Sequence, residues 1–236
     1  MEQAGMAIRE AMGNLKSRAN TQESESQSKP TIETVFKTDE EVLKILAKNG
    51  VSRRFQQARK GDIPEKTWSQ VSGFLEGESI FLHGSPGIGK THISAALMRE
   101  RILGDNEAHY TYPDKGVWVY MPSYPVMITI PDLLLEIREC FNGGQESEAS
   151  IIERYSAKKS LILDDMGVEK TSEWSIQTLY SIIDRRYRDE KQTVITSNLT
   201  LDEIAEKVGD RIASRIAGMC KVVEVKGKDR RIKGGS

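Results

Sequence analysis

Short runs of apolar residues alternate with amphipathic stretches along most of the chain. The runs are rich in aliphatic residues, which favours strands, whereas apolar residues in the stretches between them recur at helical spacing. The segments predicted as core strands are Ser79–His83, Val126–Thr129, 160–165, 193–198 and 221–225. The segments predicted as helices in the same region are 92–98, 131–141, 148–156, 171–191, 202–208 and 211–216. The pattern therefore predicts that strands and helices alternate.

The residues before the first core strand form segments that differ in polarity. Residues 1–19 place apolar side chains on one face of a possible amphipathic helix, and the other interpretation is a frayed tail. Residues 20–31 are polar and have the composition of a linker. Thr38 and Glu41 have the spacing of a capping box and predict a helix, and a second helix is predicted over 67–75. We therefore expect a flexible tail over 1–31, a helical lead-in over 32–75 and a core over 76–236.

Residues 108–125 interrupt the core with a group of aromatic residues. Residues 117–120 form a strand-like run, and its flanks predict a hairpin inserted before the next core strand. Two interpretations of the aromatic side chains are open: they stack on nucleic-acid bases, or they pack on one another, which we favour. These residues are Tyr110, Tyr112, Trp118, Tyr120 and Tyr124.

Composition limits the classes of protein to which the chain can belong. Its 236 residues include 38% hydrophobic and 29% charged residues, and the formal net charge is −1, so any nucleic-acid binding must come from local patches. Cys140 and Cys220 lie in segments predicted to be structured, which favours buried thiols over a disulfide or a metal site. The sequence has no apolar run long enough to span a membrane and no signal-peptide core, so we expect a cytoplasmic protein.

A glycine-rich stretch lies between a predicted strand and a predicted helix, and it matches G-x-x-x-x-G-K-[ST] at every fixed position. Glycines let the backbone approach a polyphosphate, and the N–H groups of the loop and of the first helical turn favour an anion. Lys90 adds a positive charge for the outer phosphates, and the hydroxyl of Thr91 is a ligand for Mg²⁺. The residues predicted to bind the nucleotide are Gly84, Ser85, Pro86, Gly87, Ile88, Gly89, Lys90, Thr91 and His92.

Two carboxylates follow the apolar residues 160–163. Hydrolysis of a polyphosphate needs an acid that holds Mg²⁺ and a base that orients the attacking water. We predict that Asp164 binds the metal and that Asp165 polarises the water. Asn198 ends the next predicted strand and is predicted to orient the same water.

Arg211 and Arg215 lie four residues apart in a predicted helix and share one face, while Ile212 and Ile216 share the neighbouring face. The isoleucines can therefore pack inward while both guanidinium groups project. In a nucleotide hydrolase, such a pair is a candidate for an arginine finger, which stabilises charge on the transferred phosphoryl group.

Together these segments resemble the AAA+ ATPases of the helicase-loader and IstB-like group, the DnaC type. The resemblance extends over roughly residues 51–233. It implies an α/β fold with a parallel sheet flanked by helices, and a protein that self-associates into a ring or spiral on DNA. The insertion at 108–125 departs from the family pattern. The segments that carry the resemblance are 84–91, 161–167, 196–198 and 209–215.

The resemblance also implies roles for individual residues. Arg215 resembles the arginine finger given to a neighbouring subunit, with Arg211 as the second choice, and Arg230 is a candidate for sensor 2. The other implied roles are Walker A for Lys90 and Thr91, Walker B for Asp164 and Asp165, and sensor 1 for Asn198.

As a function, the resemblance implies an ATPase of DNA replication that uses ATP and Mg²⁺ and loads a replicative helicase on single-stranded DNA. A transposition helper ATPase, with a transposase as partner, fits the same motifs. A P-loop kinase for a small molecule and a DNA-binding adaptor that holds ATP without turnover are alternatives of other classes. The late position of the arginines favours a motor-type ATPase over a kinase, and the paired carboxylates argue against the adaptor.

Overall fold

A computed structural model describes residues 31–35, 37–105, 107–112, 116–119, 123–140, 146–167, 172–227 and 229. In the strands within 31–35, 107–112 and 116–119, it describes the backbone alone. The chain divides into a smaller unit, Met1–Glu33 with Ala108–Tyr120, and a larger unit, Thr34–Glu107 with Met121–Ser236.

The strands and helices predicted from residue 79 onward are all present, with ends that differ by a few residues. The strands are β1 (Thr31–Val35), β2 (Ser79–His83), β3 (Glu107–Tyr112), β4 (Gly116–Val119), β5 (Val126–Thr129), β6 (Ser160–Met166), β7 (Gln192–Ser197) and β8 (Cys220–Glu224). The helices are α1 (Asp39–Lys48), α2 (Glu65–Val71), α3 (Lys90–Gly104), α4 (Ile130–Glu139), α5 (Glu148–Ser156), α6 (Glu173–Arg188), α7 (Leu201–Val208) and α8 (Asp210–Met219). Short 3₁₀ helices cover Arg53–Phe55, Lys60–Asp62 and Ser72–Glu76. Among the helices described here, none is long and apolar enough to cross a membrane.

The smaller unit carries most of a three-stranded sheet in the order β1-β3-β4. β3 and β4 are antiparallel, with Tyr110 opposite Trp118, which confirms the hairpin predicted in the insertion. β1 is a correction, because the sequence predicted a helical lead-in from residue 32 and the chain instead begins this segment as a strand. The helix predicted within residues 1–19 lies outside the described residues.

The larger unit is built on a five-stranded sheet in the order β5-β6-β7-β2-β8. Every pairing in this sheet is parallel, so the carboxyl ends of all the strands lie at one edge. β2 lies between β7 and β8 although it comes first among these strands in the chain, so the connections leave in both directions from it. In parallel α/β sheets, ligands bind beyond the carboxyl ends at such a reversal of strand order.

Alternate residues of each strand face opposite sides of this sheet, and both sides are covered by helices. Ile80 and Leu82 belong to a core shared with α1 and α3, whereas Phe81 belongs to a core shared with α4 to α8. All three side chains are fully buried. The larger unit is therefore a three-layer α/β structure, as predicted.

Helix ends follow local chemistry, with two corrections to the predicted ends. The Thr38–Glu41 capping box is present at the start of α1. The helix predicted over 211–216 begins one residue earlier, because Gly209 is its cap and Asp210 is the first helical residue, where its charge complements the helix dipole. α6 ends at Arg188 and not at 191, because Glu190 adopts a left-handed conformation with φ of 50°.

Arg186 ties the strands that carry the candidate site to the helices beside them. Its side chain is fully buried, and burial lowers its pKa to about 10. The guanidinium donates to the carbonyl oxygens of Tyr155, Ser156, Lys158 and Gln192 and to the hydroxyl of Thr193. These acceptors lie at the end of α5, before β6 and at the start of β7, so one side chain fixes where both strands begin.

We expect replacement of Arg186 by methionine to lower the free energy of unfolding by about 3 kcal/mol or more, because the buried acceptors would lose their donors. Urea denaturation measures this change. Arg188→Met is the matched control: this arginine is exposed and pairs with Asp184 on the surface, so the expected change is within about 0.5 kcal/mol. Equal stability of the two variants would contradict the assigned role of Arg186.

Candidate nucleotide-binding site

The glycine-rich loop leaves the end of β2 and leads directly into α3. β2 ends at His83, and α3 begins at Lys90. Gly89 caps the helix with φ of 109°, a conformation that glycine adopts without a steric penalty. The amino end of α3 therefore opens at the carboxyl edge of the sheet, where the N–H groups of the first helical turn and the helix dipole favour a phosphate.

At Gly84 the loop approaches the segment after β8 so closely that a side chain would not fit. A Cβ atom built there would lie 2.4 Å from the carbonyl oxygen of Val225, and φ is 147°. The N–H of Val225 donates to the carbonyl oxygen of His83 at 2.8 Å, which holds the two segments together. The glycine is therefore required by packing as well as by access to a ligand.

Lys90 points back over the loop and reaches the end of β7. Its Nζ donates to the carbonyl oxygens of Gly84 at 2.8 Å and Ser85 at 3.1 Å, and to Oδ1 of Asn198 at 2.7 Å. The side chain is only 5% exposed. The structure thus brings the predicted Walker A lysine and the predicted sensor asparagine into direct contact.

Thr91 and Asp164 form the second contact of the site. The Thr91 hydroxyl donates to the Asp164 carboxylate, with Oγ1–Oδ2 at 2.9 Å and Oγ1–Oδ1 at 3.2 Å. Asp164 is 2% exposed, and burial raises the pKa of its carboxyl while hydrogen bonds from Thr196 and Thr91 oppose that rise. A cation beside this carboxylate would favour its charged form.

The hydroxyl oxygen of Thr91 and the carboxylate oxygens of Asp164 fit Mg²⁺. A hydroxyl and a carboxylate are hard oxygen ligands, and Mg²⁺ is usually held by one or two such protein groups together with water and substrate phosphates. Within the described part of the chain, no group of three or more histidine, cysteine, aspartate or glutamate side chains is placed to hold a metal. Thr91 and Asp164 are therefore the residues that would hold the ion, next to phosphates in the loop.

Asp165 lies beside Asp164 at an irregular point of β6. Its φ is 60°, in the left-handed region that a non-glycine residue rarely adopts, and its backbone N–H donates to the hydroxyl of Thr196 at 3.0 Å. Its side chain is half-buried, less so than that of Asp164. Backbone strain of this kind concentrates at functional sites.

Two cavities adjoin the loop within the larger unit. A cleft of 470 Å³ runs from His83 and Pro86 to Asn198 and Thr200. A second cavity of 270 Å³ is lined mainly by apolar groups from the loop, the lead-in and the segment after β8: Pro64, Thr67, Ile88, Ile93, Val225, Lys226 and Gly227. Both cavities share Ile88 of the loop and residues 225–227 after β8.

The lining of the second cavity was not found from the sequence. Pro64 and Thr67 are distant from the loop in the chain and were predicted only as part of the helical lead-in. No local signal identifies them, because their proximity to Ile88 arises from the tertiary fold. Ile88 itself was predicted as a contact residue through its place in the motif.

His92 faces the lead-in. Its Nε2 lies 3.2 Å from Oδ2 of Asp62, and its side chain is 25% exposed. It belongs to the first turn of α3, so its backbone is at the anion-binding end of the helix even though its side chain contacts the lead-in.

The two candidate arginines differ in their surroundings. Arg215 is held within its own chain, with Nε donating to Oδ1 of Asp184 at 2.7 Å and Nη2 donating to the Tyr180 hydroxyl at 2.9 Å. Arg211 is exposed, and within the described residues its guanidinium makes no hydrogen bond or ion pair. Arg230, the sensor 2 candidate, lies outside the described residues.

The model of a family described as IstB-like ATP binding protein matches residues 54–236. The replicative helicase loader DnaC of Escherichia coli strain K12 is 25% identical over 138 residues, which are 58% of this chain and 49% of that protein. The chain therefore spans about half the length of the curated relatives it matches.

Two solved structures share the fold. The crystal structure of the DnaC helicase loader matches with a TM-score of 0.59 at 22% identity, covering 74% of this chain and 100% of that one. AMPPCP-bound DnaA from Aquifex aeolicus matches with a TM-score of 0.56 at 20% identity, covering 78% of this chain and 54% of that one.

Proposed function

The chain belongs to the IstB-like ATP-binding family of AAA+ proteins, and from this premise we propose that it binds ATP with Mg²⁺ at the glycine-rich loop and hydrolyses it. The observation that carries the proposal is the pair of contacts Lys90–Asn198 and Thr91–Asp164. They join the loop to the ends of β6 and β7, so that a phosphate cradle, an acid and an amide lie together.

Each residue has a distinct part in the proposed hydrolysis. Lys90 and the loop N–H groups bind and orient the phosphates. Thr91 and Asp164 hold Mg²⁺, which when bound neutralises charge on the phosphates. Asp165 accepts a hydrogen bond from the attacking water, and Asn198 helps to orient that water. The arginine finger comes from α8 of a neighbouring copy in a ring or spiral, with Arg215 as first choice and Arg211 as second.

We propose further that the ATPase serves DNA replication as a loader of a replicative helicase on single-stranded DNA. Support comes from the similarity to the DnaC helicase loader in sequence and fold. A transposition helper ATPase is the second candidate, because the matching family model is described as IstB-like. The two candidates share one nucleotide site and differ in the partner protein.

ATPase rate against protein concentration, with and without single-stranded DNA, tests this proposal. We expect the rate per protein to rise with concentration, because a neighbouring copy completes the site, and to change when DNA is added. Asp165→Asn is the control for contaminating activity and is expected to release no phosphate. Absence of phosphate release by the unaltered protein under all conditions would refute the proposed activity.

Co-purification with a tagged partner separates the two candidates. We expect the replicative helicase of the same organism to retain the chain in the presence of ATP. Retention by a transposase encoded beside it, and not by the helicase, would establish the transposition role and overturn helicase loading.

A further inference from the structure

β6 and β7 fall out of register where the two acids lie. Leu163 pairs with Ile195, and the next pair along is Met166 with Ser197. β6 therefore contains one more residue than β7 between these two pairs. The extra residue makes a β-bulge at Asp164 and Asp165. A bulge interrupts the ladder of backbone hydrogen bonds and re-aims the side chains that it carries.

One hydroxyl of β7 occupies the gap that the bulge leaves. Thr196 Oγ1 donates to Oδ1 of Asp164 at 2.6 Å and accepts the backbone N–H of Asp165 at 3.0 Å. Thr196 is fully buried, so neither bond competes with water. A hydroxyl has one proton to donate, and here it goes to the acid predicted to bind the metal.

The same contact supports the strained backbone of Asp165. Its left-handed conformation, with φ of 60°, costs free energy and persists only where the surroundings enforce it. The bond from its N–H to Thr196 fixes the peptide plane that sets the direction of the Asp165 side chain. A single hydroxyl on the neighbouring strand thus contacts the Asp164 carboxylate directly and the Asp165 residue through its backbone N–H.

We infer that Thr196 is a positioning residue for ATP hydrolysis, which holds Asp164 toward the metal and Asp165 toward the attacking water. This inference rests on the proposed ATPase function. It gives Thr196 a role toward the metal site that Thr91 does not have, because Thr91 contacts one acid and Thr196 contacts both.

Thr196→Val removes the hydroxyl and keeps the shape of the side chain, while Thr196→Ser keeps the hydroxyl. Titration of the fluorescent analogue MANT-ATP with EDTA and with Mg²⁺ separates phosphate binding from metal binding. We expect Thr196→Val to bind the analogue normally in EDTA. The increase in affinity that Mg²⁺ gives is expected to be about 10- to 100-fold smaller than in the unaltered protein, with a similar loss in kcat. Thr196→Ser is expected to stay close to the unaltered protein in both.

Thr193→Val is the matched control. Thr193 lies at the opposite end of β7, is equally buried and receives a hydrogen bond from Arg186. Removal of the Thr193 hydroxyl is expected to lower thermal stability and to leave the increase in analogue affinity with Mg²⁺ unchanged. A loss of metal dependence in both valine variants would mean that Thr196 acts through stability alone and would overturn the inference.

Amide hydrogen exchange of Asp165, followed by NMR without nucleotide, tests the contact independently of ATP. We expect Thr196→Val to accelerate exchange of this amide by about tenfold or more relative to its neighbours, because its acceptor is gone. Failure of the unaltered protein to hydrolyse ATP would count against the proposed function. Unchanged exchange and unchanged Mg²⁺ dependence in Thr196→Val, or a Thr196→Ser variant as impaired as the valine one, would refute the role of Thr196.

Discussion

Replacement of Lys90 by alanine is expected to abolish ATP binding, with a loss in affinity of at least about a hundredfold. The ammonium group is the full positive charge that the loop brings to its centre, and its position is fixed by Gly84, Ser85 and Asn198. The backbone N–H groups that remain supply partial charges, and these do not replace a formal charge opposite a triphosphate. Isothermal titration with ATP and Mg²⁺ measures the loss.

Lys44→Ala is the control for Lys90→Ala. Lys44 is an exposed residue of α1 that pairs with Glu40, and its replacement is expected to leave ATP affinity unchanged. Thermal unfolding of the Lys90 variant without nucleotide checks that the loop is still folded. A folded Lys90→Ala protein with affinity near that of the unaltered chain would contradict the assignment of the loop as the phosphate site.

Replacement of Arg215 by alanine is expected to preserve ATP binding and to lower hydrolysis by about a thousandfold, the size of effect that an arginine finger supplies. Asp184 and Tyr180 hold the guanidinium in one orientation, and the Asp184 contact holds the pKa of that carboxyl below its usual value. Three of the five N–H groups are engaged, including a long bond to the carbonyl oxygen of Arg211, and the others remain available to a ligand. An oriented arginine loses less conformational entropy when it meets a phosphate.

Mixing the Arg215→Ala protein with an Asp165→Asn protein tests whether the arginine acts between copies. Each variant alone is expected to hydrolyse ATP far more slowly than the unaltered protein. A mixed assembly contains sites with an intact acid and an intact arginine, so partial recovery of phosphate release is expected. The same mixing with Arg211→Ala is the matched comparison. If Arg211→Ala loses hydrolysis and regains it on mixing with Asp165→Asn, while Arg215→Ala does not, the role passes to Arg211. If neither mixture recovers phosphate release at high concentration, action between copies is contradicted.

Local features of the sequence predicted much of the fold and the positions of the candidate site residues. The loop motif is contiguous, and strands such as β6 and β7 have hydrophobic runs that need no tertiary information. β1 was missed because the polar composition before it was taken to continue as a linker and helical lead-in. Four of the five residues of Thr31–Val35 are β-branched, and that was the signal that could have identified the strand.

Contacts that depend on how strands and helices pack together could not be predicted from the sequence. The contact of Thr196 with Asp164 joins residues 32 positions apart, and it requires the strand order and the one-residue shift between β6 and β7. The lining of the second cavity likewise depends on how the lead-in packs on α3.

The contact between Lys90 and Asn198 links the phosphate loop to the tip of β7. The ammonium has three N–H bonds and already meets three protein acceptors within 3.1 Å, so an arriving phosphate oxygen must displace at least one of them. When the displaced acceptor is the amide of Asn198, the tip of β7 is released by the same event that fills the loop. We therefore expect the position of the Asn198 amide to be coupled to the binding of a phosphate by Lys90.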